Sequence, residues 1–486
     1  MSHAIKNKLI SGLFWKFSER IAAQTVTFFV SIVLARLLTP ADYGVIAIVN
    51  VFITIANVFV DSGLGNSLIQ KKDADNLDYS SVFYFNITSS TLVYIVLFIL
   101  SPFVAGFYNM PILTPVLRVL SIRIIVAGVN SVQHAYVSKH MMFQRFFWST
   151  LFGTILSAVV GIAMAYKGCG VWALVGQYMT NTMVDTIVLW FTVKWRPIRG
   201  FSLKRLKSLF SFGWKLLVSS LINTVYSKIR QLCIGKVYTS EDLAYYSKGE
   251  HFASFIVTNV NTSIGAVLFP VMATQQDKTE AVKAMTRRSI KTSSYIMFPL
   301  MVGLAVIAEP FILTLLTDKW IECVPFLQIG CFVYALMPIH TANLQAINAM
   351  GRSDVFLKLE IIKKVVGVCV FLIAIPYGVT AIAISGVVTS VITSVINAYP
   401  NTKLMGYRYL EQIRDMLPAL LLSVFMGIAV YAIGLLPIPV LPLMVIQIVS
   451  GMIIYVLLSI LFKADSFAYI NDTIKDIITK RRKDND

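Results

Sequence analysis

The sequence carries little charge, and least of all negative charge. Its 486 residues include 42 lysines and arginines but only 24 aspartates and glutamates, and charged residues make up 14% of the chain. A soluble domain carries roughly 25% charged residues. Here 57% of the residues are hydrophobic and the mean hydropathy is +0.74. These values exclude a chain built mainly of soluble domains and predict an integral membrane protein.

Cysteine is scarce, and the motifs of several enzyme classes are missing. The five cysteines are odd in number, scattered and mostly within apolar stretches, so they indicate neither a disulfide framework nor a metal site. The sequence has no Walker A, HExxH, Cys-x-x-Cys, Gly-x-Ser-x-Gly or dinucleotide-binding pattern. It therefore predicts no enzymatic activity, no metal and no organic cofactor.

Long apolar stretches dominate what is present. Each is close to the roughly 20 residues that a helix needs to cross a bilayer, and about twice as long as a β-barrel strand. Because lipid offers no hydrogen-bond partner to an open backbone, the stretches are predicted to be transmembrane helices. The fourteen predicted segments are 10–34, 43–66, 82–107, 112–137, 147–166, 170–193, 209–234, 252–273, 290–316, 323–348, 357–376, 378–399, 416–436 and 441–462.

The basic residues predict the orientation of these helices. With the amino terminus in the cytoplasm, most of the 42 lysines and arginines fall in inner segments, as is typical of cytoplasmic loops. Both termini are therefore predicted to be cytoplasmic, in the inner membrane of a bacterium. The outer loops are short, the longest being predicted over 235–251. They hold only Arg36, Lys167, Lys236, Lys248 and Lys319. The formal charge of +18 is spread over loops, which argues against a nucleic-acid partner.

An internal repeat divides the chain. Residues 35–44 are ARLLTPADYG and residues 235–244 are GKVYTSEDLA, with a basic residue, a threonine and an aspartate in register. Thr39-Pro40 before Asp42 also predicts a turn followed by a helix start. The similarity extends upstream to LISGLFWK over 9–16 and LFSFGWK over 209–215, so both repeats begin on the cytoplasmic side, which predicts parallel repeats related by a pseudo-two-fold axis. The predicted domains are an N-terminal six-helix lobe over 1–200, a C-terminal six-helix lobe over 201–402, two additional helices over 403–462 and a cytoplasmic basic tail over 463–486.

Polar residues at helical spacing predict a central cationic cavity between the two lobes. A cation at mid-bilayer costs roughly 2.5–3.5 kcal/mol, and the intramembrane cations outnumber the acids that would pair with them. The surplus predicts an anionic substrate. The predicted substrate-binding cations are Arg20, Arg118, Arg123, Lys215, Lys228, Arg230 and Lys363. The predicted polar or ion-coupling residues are Gln24, Asn57, Asp61, Asn181, Asp185, Asn223 and Glu309.

Some of these residues also have a structural interpretation. Arg123, Lys215 and Lys363 are long enough to reach a membrane interface, and Asp61 is placed to cap a helix. Asp61, Asp185 and Glu309 are candidate sites for a coupling H⁺ or Na⁺, and the sequence leaves the choice of ion open.

The opening of the chain resembles a known family of transporters. The stretch FWKFSERIAAQTVTFFVSIVLARLLTPADYGVIAIVNVF over 14–52, followed by DSGLGNSLIQ over 61–70, is similar to Wzx-type flippases for lipopolysaccharide, O-antigen and exopolysaccharide. The similarity continues more weakly over 134–147 and 168–177. These flippases belong to the multidrug/oligosaccharidyl-lipid/polysaccharide (MOP) superfamily. The resemblance implies alternating-access transport of undecaprenyl-diphosphate-linked oligosaccharide across the bacterial inner membrane.

The resemblance also implies partners, while two other functions stay open. The implied partners are the lipid-linked oligosaccharide, membrane lipids and a polysaccharide polymerase or other assembly proteins. A cation-coupled drug exporter of the same superfamily would need acidic cavity residues, which the basic surplus disfavours. A non-transporting scaffold would not need polar stripes, so cysteines placed at Gln24 or Asn57 would then stay unreactive to aqueous thiol reagents.

Overall fold

The structure is a computed structural model that describes residues 3–61, 63–275, 278–472 and 475, with side chains described except at 3–14, 17, 61, 211–212, 262–267 and 269–271. Within these ranges the chain forms eighteen α-helices and no β-strand. The helices are α1 (His3–Leu37), α2 (Pro40–Asp61), α3 (Leu64–Gln70), α4 (Asn76–Tyr108), α5 (Leu113–Leu120), α6 (Ile122–Lys139), α7 (Phe143–Tyr166), α8 (Val171–Thr192), α9 (Leu203–Val237), α10 (Ser240–Ala273), α11 (Thr279–Val306), α12 (Ala308–Leu315), α13 (Val324–Ala335), α14 (Met337–Ala349), α15 (Ser353–Ala374), α16 (Val379–Met405), α17 (Tyr409–Gly434) and α18 (Val440–Leu461).

These helices account for the fourteen segments predicted from the sequence. Four of the segments consist of two consecutive helices: α2 with α3, α5 with α6, α11 with α12, and α13 with α14. Ten segments in the described ranges are long and apolar enough to cross a membrane. The other four, α8, α9, α10 and α15, are interrupted by polar or charged side chains such as Asp185, Lys228 and Lys363. The protein is an all-α, multi-pass membrane protein with about fourteen spans.

The helices group into two compact units, Met1–Ala244 and Tyr245–Asp486. The first unit contains α1 to α9 and the first residues of α10. The second contains the rest of α10 and α11 to α18. The lobes predicted over 1–200 and 201–402 remain a prediction.

Both repeats begin their second helix with the same capping arrangement. Thr39 Oγ1 donates to Asp42 Oδ2 at 2.7 Å, and Asp42 N donates back to Thr39 Oγ1 at 3.3 Å. In the second repeat, Thr239 Oγ1 donates to Asp242 Oδ2 at 2.7 Å and Asp242 N donates back at 3.1 Å. Each pair satisfies backbone N–H groups that lack a partner at a helix start. The predicted turn and helix start at Thr39-Pro40 are confirmed.

The predicted outer loop over 235–251 is wrong in extent. α9 continues to Val237 and α10 starts at Ser240, so two residues separate the helices. The capping pair of Thr239 and Asp242 starts α10 at once, and Glu241 adds a second acid to its first turn, where the helix dipole favours negative charge. Polar composition therefore indicated a loop where capping chemistry extends a helix.

Close glycine contacts hold α9 against α2. A Cβ added to Gly44 in α2 would lie 2.0 Å from the carbonyl oxygen of Ser240, just beyond α9. Past the other end of α2, a Cβ on Gly63 would lie 2.7 Å from the carbonyl oxygen of Gly213 in α9. The start of α10 thus packs against the beginning of α2, and α9 packs just past the end of α2.

A charged network joins the start of α4 to the start of α9. Asp75 and Asp78 form a capping box, and the fully buried Asp78 pairs with Lys71 at 2.6 Å. Arg205 donates to Asp75 Oδ2 at 2.5 Å. This hydrogen bond lowers the pKa of the Asp75 carboxyl to about 2. The network ties the loop before α4 to the polar start of α9.

Candidate functional site

The first unit contains a polar cavity of about 600 Å³. Its apolar wall comes from α2 and α9, with Val58, Leu216 and Leu217. Its polar wall comes mainly from α6 and α8. The lining side chains that carry polar atoms are Asn66, Asn130, Ser131, His134, Ser138, Thr182, Asp185 and Ser220.

Three of these side chains converge where α6 faces α8. Asn130 and His134 are four residues apart on α6, which places them on one face of the helix. The amide Nδ2 of Asn130 donates to Asp185 Oδ2 on α8 at 2.9 Å and lies 3.1 Å from His134 Nε2. His134 Nε2 is 3.4 Å from the same carboxylate oxygen. A carboxylate, an imidazole and an amide therefore share one hydrogen-bonded cluster.

α1 and α7 complete the electrostatic surroundings of this cluster. Glu19 on α1 accepts a hydrogen bond from Thr150 Oγ1 on α7 at 3.1 Å. It also interacts electrostatically with Lys16, His134 and Asp185. The second carboxylate thus reaches the cluster from a different helix.

Arg123 lies on the α8 side of the same cavity. Its Nε donates to Thr182 Oγ1, a cavity-lining hydroxyl, at 2.8 Å, and its guanidinium lies 5.1 Å from the ring centre of Tyr178. Thr182 and Asp185 are three residues apart on α8. A cation is therefore bonded to a residue of the cavity wall one helical turn from the acid of the cluster.

The other predicted cations lie in different settings. Arg118, on α5, contacts α4. Its Nε donates to Ser101 Oγ at 2.9 Å, and its guanidinium lies 4.2 Å from the Phe98 ring centre. Lys363 pairs with Glu360 on its own helix at 2.5 Å. Arg20 and Lys215 are exposed, whereas Lys228 and Arg230 are half-buried on α9. Roles in substrate binding remain predictions for all seven cations.

Among the predicted polar residues, Asp185 lines the cavity. Asn181 instead packs behind it, where a Cβ on Gly153 of α7 would lie 3.1 Å from its carbonyl oxygen. Gln24 and Asn57 are half-buried, and Asn223 and Glu309 are exposed. Asp61 ends α2, but its side chain lies outside the described part of the chain.

Sequence reasoning missed Asn130 and His134. The four-residue spacing within an apolar stretch was the available signal, because it puts both side chains on one helix face. Their partner Asp185 is 55 residues away from Asn130, and only the packing of α6 on α8 brings the three together.

The chain matches the family model described as "Polysaccharide biosynthesis protein" over residues 33–325. Among curated proteins it is similar to the lipopolysaccharide biosynthesis protein WzxC of Escherichia coli (strain K12), with 23% identity over 89% of both chains. The teichuronic acid biosynthesis protein TuaB of Bacillus subtilis (strain 168) is 25% identical over 72% of this chain and 73% of its own. The succinoglycan biosynthesis transport protein ExoT of Rhizobium meliloti (strain 1021) is 23% identical over 71% of each chain.

Two solved structures share the fold. The lipid II flippase MurJ, in an inward closed conformation, aligns with a TM-score of 0.71 and 15% identity over 93% of this chain and 99% of its own. An inward-facing multidrug resistance transporter of the MATE family, in the MOP superfamily, aligns with a TM-score of 0.62 and 14% identity over 79% of this chain and 95% of its own. The predicted MOP-type fold is confirmed, and the chain belongs to the polysaccharide biosynthesis protein family.

Proposed function

We propose that the protein is a flippase that moves undecaprenyl-diphosphate-linked oligosaccharide from the cytoplasmic to the outer leaflet of a bacterial inner membrane. The observation that carries the proposal is the similarity to three relatives named for different polysaccharides. Teichuronic acid, lipopolysaccharide and succinoglycan differ in their sugars. What such relatives would have in common is the lipid carrier and its diphosphate rather than any one glycan.

The charge of the chain suits a diphosphate. Arginine and lysine bind phosphate oxygens through charge-assisted hydrogen bonds, and basic residues outnumber acidic ones by 42 to 24. Exposed Arg20 and Lys215, together with half-buried Lys228 and Arg230, are the cations that we assign to the substrate. The side chains of Arg118 and Lys363 already bind Ser101 and Glu360, so we assign these two cations to helix packing instead.

The shared fold of known transporters supports alternating access as the mechanism. Rocking one repeat against the other exposes a substrate site first to one side of the membrane and then to the other. The isoprenoid tail remains in lipid while the charged and sugar-bearing part crosses. We place both termini in the cytoplasm, on the side where the basic residues concentrate.

Conditional depletion in the native bacterium tests the proposal. Lipid-linked oligosaccharide should accumulate in the cytoplasmic leaflet and should return to the outer leaflet on expression of the wild-type chain. Because a charge-assisted hydrogen bond contributes about 1.5–3 kcal/mol, Arg20→Ala and Arg230→Ala should lower delivery about tenfold or more.

Lys72→Ala is the matched control, because Lys72 is an exposed cation between α3 and α4. It should restore delivery like the wild type. Normal outer-leaflet delivery in depleted cells would refute the flippase. Full rescue by both arginine variants would refute the assignment of these two cations.

A further inference from the structure

The contacts around Asp185 suit a neutral His134 imidazole. A carboxylate only accepts hydrogen bonds, so the donor end of the Asn130 amide must face Asp185 Oδ2, 2.9 Å away. The second hydrogen of the same Nδ2 then faces His134 Nε2 at 3.1 Å. This contact is a hydrogen bond when Nε2 accepts, with the imidazole proton on Nδ1 and the ring neutral.

The Asn130 amide is held at one end only. Asn130 is 4% exposed, and none of the described residues donates a hydrogen bond to its buried Oδ1. A buried acceptor without a partner costs free energy comparable to a lost hydrogen bond. In the described residues, no hydrogen bond at the Oδ1 end therefore holds the amide in its present orientation.

The charges around the cluster balance while His134 is neutral. In the part of the chain that the structure describes, Lys16 and Glu19 on α1 lie within electrostatic range of the cluster, besides Asp185 itself, and Arg123 on α6 is bonded to Thr182, three residues before Asp185 on α8. α7 contributes Phe146 and Thr150, and α4 contributes Asn86. The described side chains of α2, α3 and α9 that line the cavity are uncharged. One added proton would therefore give the cluster a net positive charge.

We propose that His134, Asp185 and Asn130 form a proton-binding site that couples proton entry to transport, an inference that rests on the proposed function. A proton from water binds His134 Nε2, the imidazole becomes an imidazolium, and Asp185 stays ionised. The His134 side chain is 47% exposed and borders the cavity, so water reaches it, whereas the Asp185 side chain is 20% exposed.

Protonation rearranges the link between α6 and α8. An imidazolium Nε2–H and the Asn130 amide are both donors, so their 3.1 Å contact becomes repulsive. Nε2–H instead donates to Asp185 Oδ2, which is now 3.4 Å away, and Asn130 turns away from it. The site thus has two hydrogen-bonded arrangements, selected by one proton.

The donor set favours a proton over Na⁺. Hard cations bind in cages of oxygen ligands. Across the helix interface, the hydrogen-bond and ion-pair partners of Asp185 Oδ2 in the described residues are two nitrogens, Asn130 Nδ2 and His134 Nε2. In the described residues these contacts supply no oxygen ligand to the carboxylate, whereas an imidazole nitrogen lies close to it, as a proton site requires.

Purified protein in proteoliposomes tests the site, with lipid-linked oligosaccharide extracted from the native bacterium as the transported probe. If each cycle moves one proton, a transmembrane difference of one pH unit should change the steady-state ratio of substrate between leaflets about tenfold. In His134→Gln and Asp185→Asn, the ratio should stay near one whatever the gradient.

His140→Gln is the matched control. His140 follows α6, is exposed and stacks on Tyr136 with ring centres 4.1 Å apart, outside the cavity lining. This variant should respond to the pH gradient like the wild type. A tenfold response that survives in His134→Gln, or a ratio driven by a Na⁺ gradient and not by pH, would overturn the proton site. Absence of any transport by the wild type would instead count against the proposed function.

Discussion

At the scale of single residues, buried carboxylates hold the polar contacts of this membrane protein in place. On α17, Asp415 is 8% exposed. It accepts a hydrogen bond from the buried Tyr407 hydroxyl at 2.7 Å and pairs with Arg287 Nε at 2.7 Å. Arg287 is about half exposed and regains water if the pair is lost, whereas the Tyr407 hydroxyl does not. Asp415 therefore contributes to stability mainly as the hydrogen-bond acceptor of the buried Tyr407 hydroxyl.

Replacing this acid should destabilise the second unit. Asp415→Ala leaves the Tyr407 hydroxyl without its acceptor, which should cost about 1–3 kcal/mol. Thermal unfolding in detergent measures the loss as a lower midpoint. The neighbouring Glu411 is exposed, so Glu411→Ala is the matched control and should leave the midpoint unchanged. Equal midpoints for the two variants would contradict the role of Asp415.

The Asp75–Arg205 hydrogen bond predicts a pH dependence of stability in the first unit. The Asp75 carboxyl has a pKa of about 2 in the folded chain, below the value of about 3.9 for an unfolded aspartate. The bond therefore stabilises the folded state fully above pH about 4, and this contribution is lost as pH falls through about 2. Unfolding of wild type and Arg205→Gln should differ at neutral pH and converge in acid. A difference that persists below pH 2 would contradict this sign.

The sequence predicted the local contacts of single residues better than the distant ones. Thr39 and Asp42 are three residues apart, so their capping bond follows from helix chemistry alone. His134 and Asp185 meet only because α6 packs on α8, and neither residue reveals the other in the sequence. Polar residues at helical spacing indicated which helices have a polar face, but they did not identify which polar side chains contact each other.

At the scale of helices, apolar length predicted the fourteen segments but not the breaks within them. α5 and α6 are separated at Ser121, and α13 and α14 at Leu336, within stretches that are apolar on both sides. Hydropathy is averaged over a window and does not respond to one turn of altered backbone. Caps and turns therefore set details that the hydrophobic pattern leaves undetermined.

The contact between α2 and the start of α10 gives a prediction for the helices. Gly44→Ala puts a methyl group 2.0 Å from the Ser240 carbonyl oxygen, so the backbones must separate, at a cost of about 3 kcal/mol or more. The yield of folded protein and its unfolding midpoint should both fall. Gly65→Ala on α3 is the matched control, since a Cβ there has nothing within 4 Å and alanine favours a helix. A tolerated Gly44→Ala would show that α2 and the Ser240 turn separate easily.

At the scale of the whole molecule, the prediction of the fold rested mainly on the composition and on the internal repeat. A chain that crosses a membrane requires apolar helices about 20 residues long. The alternation of basic and less basic loops then indicates how many of them cross the membrane. The observed helices and the relatives bear out a MOP-type chain of about fourteen spans. The proposed proton site, in contrast, depends on the packing of α6 on α8, which composition and repeat do not reveal.

The orientation of the molecule yields a prediction that two exposed lysines test. Lys72 precedes α4, and Lys167 follows α7. Three spans separate them, formed by α4, by α5 with α6, and by α7, so the two lysines must lie on opposite sides of the membrane. In a chain whose five cysteines are replaced, a membrane-impermeant maleimide should label Lys167→Cys in intact cells. It should label Lys72→Cys only after the inner membrane is opened. Labelling of both from the same side would remove one span from this region, whereas the reversed pattern would keep the spans and place the amino terminus outside.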